Sequence, residues 1–198
     1  MFKLNKKEAE YYLIKIFDFI ENGDSKFKGH PGLYFFHTKT ELKEKINELL
    51  SENEYYEFDL YYITSLLIKF MLGRYDSHTK VSFKDNIYIP IDFTVEENSL
   101  YVTNISPIYK KLIGGKLLKI NNIDIQRILC ELEEIICYST KEHLSVMIQS
   151  FLSDVNVLKS LPSIENNTKE FIYTILNDNN EKENITFNIN NLPEFYSV

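Results

Sequence analysis

The 198-residue chain is 44% hydrophobic, enough to bury a core in one large domain or two small ones. With a net charge of -7 and a pI near 5.2 it offers no excess of cations to displace counterions from a polyphosphate backbone, so nucleic acid is not an expected partner. The two cysteines, Cys130 and Cys137, are too few and too close for a secreted disulfide framework, and Lys15 and Asp18 interrupt the apolar stretch 11–20, so neither a signal-peptide core nor a membrane span is expected. As written, the chain reads as soluble and cytoplasmic; if a leader has been removed from it, it is an exported protein.

Helical spacing opens the chain. Ala9, Tyr12, Leu13, Ile16, Phe17 and Ile20 recur at helical intervals, and Asn22-Gly23-Asp24 ends the pattern. Thr38-Lys39-Thr40-Glu41 has the form of a capping box, in which hydroxyl and carboxylate satisfy orphan amides, ahead of a second helix carrying Leu42, Ile46, Leu49 and Leu50. Ser51-Glu52-Asn53-Glu54 repeats that signal before Phe58, Tyr62, Leu66 and Phe70, and Gly73 predicts an end near Leu72. From Val81 the period becomes two: Ile87, Ile89, Ile91, Phe93 and Val95 alternate with Tyr88, Pro90, Asp92 and Thr94, as one buried strand face requires.

A turn at Glu96-Glu97-Asn98-Ser99 leads to a second strand over 100–105, ended by Ser106-Pro107. Gly114-Gly115 introduces a short strand over 116–120, with a turn at Asn121-Asn122 and a helix over 125–136. A third capping box, Ser139-Thr140-Lys141-Glu142, starts a helix expected to run to Val155. Strands over 171–176 and 184–189 close the chain as a hairpin that needs a sheet to complete. The expected fold class is α+β, with a helical amino-terminal domain over 1–80 and a β-rich domain over 81–198 that carries a helical insertion at 139–162.

Asp76-Ser77-His78-Thr79 has the residue types of a hydrolase triad, but consecutive side chains cannot converge as nucleophile, base and orienter on one acyl carbon. Residue type alone favours a loop whose Asp76 and Thr79 bond nearby amides. The alternative is that it supplies one polar group to a site completed by another surface. His30 and His37 lack partners at metal-ligand spacing, Gly114-Gly115 enters a strand rather than a phosphate-binding helix, and Cys130 sits in a helix interior without a cationic neighbourhood. No metal or cofactor is expected. The aromatic run Tyr55, Tyr56, Phe58, Tyr61 and Tyr62 reads as helix-packing surface.

Three segments, in order, resemble the C-terminal processing peptidase family, the tail-specific and tricorn-like serine peptidases. His30-Pro31-Gly32-Leu33-Tyr34 is similar to an HPNLY-like opening, and Arg74-Tyr75-Asp76-Ser77-His78-Thr79 to a GDSHT-like junction motif. The run from Ile105-Ser106-Pro107 through Gly114-Gly115-Lys116-Leu117-Leu118-Lys119-Ile120-Asn121-Asn122 to Ile125 resembles the body of a PDZ-like domain. The resemblance covers about 29–189. It implies a helical lobe followed by a PDZ-like domain, with the serine nucleophile on a catalytic domain outside these residues. His78 would be the general base for that serine and Asp76 a candidate orienter, so the chain alone is expected to be inactive.

The resemblance also implies polypeptide as a partner, joined by a catalytic domain or a partner chain. PDZ-type domains receive a carboxylate on a Gly-rich loop and pair the peptide with a strand edge. Here Ile87-Tyr88-Ile89-Pro90-Ile91-Asp92 contains no glycine and one proline, which counts against carboxylate capture and leaves strand-edge pairing by Asp92, Phe93, Thr94 and Val95. The alternatives are a stand-alone PDZ-like interaction module, an inactive peptidase relative, and lobes that only mediate assembly.

Overall fold

The computed structural model describes residues 3–22, 37–73, 80–97 and 99–193. The chain is α+β and divides into two compact units: Met1–Ser82 with Ile135–Lys141, and Phe83–Glu134 with Glu142–Val198.

The first unit contains β1 (Lys3–Asn5), α1 (Lys6–Asn22), α2 (Lys39–Leu49), β2 (Glu54–Tyr56) and α3 (Glu57–Leu72). Asn5 and Glu8 cap α1 reciprocally, the Asn5 amide donating to Glu8 at 2.9 Å and the Glu8 amide to Asn5 Oδ1 at 3.1 Å. The box at Thr38 and Glu41 forms as the sequence predicts, with the Thr38 amide donating to the Glu41 carboxylate at 2.7 Å and the Glu41 amide to Thr38 Oγ1 at 3.3 Å. Ala9, Leu13 and Phe17 pack in one core with Leu42, Ile46 and Leu67.

The expected box at Ser51 is not used. Tyr55 is buried, and its hydroxyl accepts from the Glu52 amide at 2.6 Å while donating to the Glu52 carbonyl at 2.8 Å, which holds the chain in a turn. Residues 54–56 then pair antiparallel with β1, and α3 starts later, where the Asp59 carboxylate takes the Tyr56 amide at 2.8 Å. Gly73, at φ 76°, ends α3 in a conformation that side chains disfavour.

The second unit is built on one antiparallel sheet. Its strands are β3 (Ile91–Glu96), β4 (Ser99–Ile105), β5 (Lys116–Ile120), β6 (Ile123–Asp124), β7 (Glu170–Leu176) and β8 (Lys182–Asn188). The order across the sheet is β3-β4-β5-β7-β8, with β6 paired to β5, so β3 and β8 are the edges of the path. A 3₁₀ helix (Pro107–Leu112) and helices α4 (Ile125–Ile135), α5 (Lys141–Phe151) and α6 (Val155–Ser160) fill the connections. A row of rings crosses the buried face, Phe93 to Tyr173 at 6.1 Å between centroids and Tyr173 to Phe187 at 5.8 Å. Asn121 and Asn122, at φ 50° and 64°, make the turn between β5 and β6.

Two expectations are corrected here. The period-two run from Val81 becomes a strand only at Ile91, because Pro90 has no amide to donate and the preceding residues pair elsewhere. The long helix from the third capping box ends at Phe151, and a separate α6 begins at Val155 with Asp154 as its cap.

Candidate functional site

Both corrections have one cause. Residues 153–155 leave the helical path to lie antiparallel beside 87–89: the Ile89 amide donates to the Ser153 carbonyl at 2.8 Å, the Val155 amide to the Ile87 carbonyl at 2.9 Å, and Tyr88 bridges Asp154. The Ser153 hydroxyl closes the seam by donating to the Ile91 carbonyl. Asp154, only 4% exposed, caps α6 through the Asn156 and Val157 amides at 2.9 and 3.3 Å. Burial pushes its carboxyl pKa up, against the opposing pull of those amides. Asn156 secures the other side by donating to the Asp85 carbonyl at 2.7 Å.

This segment covers the sheet edge before β3 and stops there. From Asp92 onward β3 pairs with β4 alone, and among the described residues no strand lies along its other edge. Of the four residues singled out for strand pairing, Phe93 is buried in the core, Asp92 is exposed, and Thr94 and Val95 are partly covered. Asp92 is held on the outer face by Asn104, whose side-chain amide donates to its carboxylate at 3.2 Å. The β3–β4 register shifts between Asp92 and Phe93, where β4 carries one extra residue, Thr103, so the irregularity lies on β4 and β3 runs on without an added residue.

The segment suspected of carboxylate capture is poor in free donors. The Ile89 amide is taken by Ser153, the Ile91 amide donates to the Ile89 carbonyl at 2.8 Å, and Pro90 has none. An arriving carboxylate would have to displace bonds already made.

The catalytic candidates His78 and Asp76, together with His30, lie outside the described residues. His37 stacks on Phe70 at 3.8 Å between centroids, with Nδ1 3.5 Å from the Glu41 carboxylate. It sits at an open cleft of about 240 Å³ in the helical unit, floored by Ile14, Phe17, Leu42 and Met71, where Lys39 reaches Asp18 at 3.3 Å. Lys39 and Asp18 are thus engaged with each other, and His37 with Glu41. Cys130 is exposed on α4 and Cys137 is partly buried; neither is in a disulfide.

No protein-family model matches the sequence, and no curated protein matches it. Solved structures do. The fold is similar to that of CPAF, a chlamydial serine protease. Mature CPAF complexed with lactacystin superposes with a TM-score of 0.60 at 13% identity, over 91% of this chain and 35% of that one. Mature CPAF alone gives 0.59 at 13% identity over 92% and 34%, and a CPAF mutant gives 0.58 over the same shares. The chain therefore spans about a third of the length of the structures it matches.

Proposed function

We propose that this chain recognises and positions polypeptide by adding an extended segment to the open edge of β3, as the non-catalytic portion of a serine-peptidase-like protein. The observation that carries the reading is the contrast along one line of backbone: 153–155 already occupy the edge beside 87–89, while among the described residues no strand lies beside 92–96 on that edge. Exposed strand edges recruit strands because their amides and carbonyls gain partners, and on the β3 side the covered part limits such recruitment to one short stretch. In this proposal the second unit is PDZ-like, as the 105–125 run suggests, and His78 with Asp76 serves a serine supplied by a catalytic domain or partner chain, as in the C-terminal processing peptidases.

The test is a backbone-amide NMR titration of the full chain with a reduced, unfolded polypeptide. Shifts should concentrate on 92–96, with β8 unmoved. Shifts centred on β8 or on the helical unit, or none at the highest polypeptide concentration, would remove the reading.

A further inference from the structure

The strand edge has a charge as well as a shape. From Asp85 through Tyr109 the sequence contains four carboxylates, Asp85, Asp92, Glu96 and Glu97, and no Lys or Arg. All four are exposed. Side chains alternate across a strand, and here Ile91 and Phe93 enter the core, so Asp92, Thr94 and Glu96 share the outer face. Facing strands carry their cations elsewhere: β4 has none, and Lys116 on β5 is separated from β3 by the whole width of β4, opposite Tyr101.

A strand added at this edge would set its own outer-face residues directly opposite Asp92 and Glu96, two positions four residues apart. Cross-strand neighbours of opposite charge stabilise a pair and like charges oppose it. The positions between alternate toward Phe93 and Val95 and would carry apolar side chains. The blocked donors of Ile89 and Ile91 add a second constraint, since they leave a terminal carboxylate without waiting amides. We infer that the β3 edge selects extended peptide segments with Lys or Arg at positions four apart and apolar residues between, read by side-chain charge rather than by a free carboxyl terminus. This rests on the strand-edge reading above and names the class of polypeptide it takes.

The test uses fluorescent peptides blocked at both ends, with cores Lys-Val-Ser-Val-Lys and Glu-Val-Ser-Val-Glu, titrated against the full chain at low and high salt. Two exposed cross-strand pairs predict a preference for the Lys peptide of about tenfold at low salt, shrinking as salt screens the charges. Asp92→Lys with Glu96→Lys should invert the preference, and Asp92→Asn with Glu96→Gln, which keeps the polar surface, should abolish it. A Lys peptide carrying a free carboxylate should bind no tighter than its amide. Equal binding of both cores would overturn the charge selection while leaving the strand-edge reading intact. Failure of both peptides to bind would overturn both. A Lys preference that survives charge reversal, or a large gain from the free carboxylate, would also overturn the inference.

Discussion

Asp154 has two roles at one nearly buried position: its side chain caps α6 and its backbone bridges Tyr88. Its folded pKa is raised, so the stabilising proton is fully bound below the unfolded value, and that contribution is lost as pH rises through the folded value. At neutral pH the ionised form therefore carries a net cost. Asp154→Asn keeps an amide acceptor for the cap and removes the charge, so it should be at least as stable as the parent in urea at neutral pH, with the advantage shrinking toward acid. Asp154→Ala should lose about 1 kcal/mol at neutral pH, the usual magnitude for a lost cap. Equal losses in the two variants would contradict this account. Gly115 is a second sensitive residue, because a Cβ there would stand 2.5 Å from Ile175 Cγ2 and 3.0 Å from the Leu112 carbonyl oxygen. Gly115→Ala should cost about 1–3 kcal/mol by overpacking, measured by the same urea transitions.

At the scale of elements, the hairpin β7–β8 completes the sheet: β7 pairs with both β5 and β8, and Phe171, Tyr173 and Ile175 are fully buried. Truncation at Pro162 should abolish cooperative unfolding of the second unit; a monomeric product with undiminished stability would refute that. Local pattern made most elements readable. The Thr38 box, the helix around Leu13, the strand Lys116–Ile120 and the late hairpin all announce themselves within a few residues. What escaped was long-range. Val155 continues the apolar period of α5, so the sequence hides the break at 153–155, whose partners lie more than sixty residues earlier at 87–89. Asp154 preceding an apolar turn was a cap signal that could have revealed α6. Tyr55 likewise displaced a capping box by bonding back to Glu52, a contact that no helical periodicity encodes. The candidate strand 92–95 was legible from alternation, but its position at a sheet edge depends on pairing partners and was not.

At the scale of the whole molecule, the chain matches about a third of a serine protease's fold. If the nucleophile comes from elsewhere, the purified chain should leave casein intact and stay unlabelled by a serine-directed fluorophosphonate; stoichiometric labelling with turnover would contradict the proposal. Among the described residues no helix is long and apolar enough to cross a membrane. The central claim is that polypeptide joins the sheet along β3, and hydrogen exchange reads this directly, because an added strand hydrogen-bonds to outward amides that otherwise face water. With saturating Lys-Val-Ser-Val-Lys peptide, exchange across 92–96 should slow while exchange at Ile89, whose amide already donates to Ser153, stays as it was. Unchanged exchange across 92–96 with the peptide demonstrably bound would contradict the account.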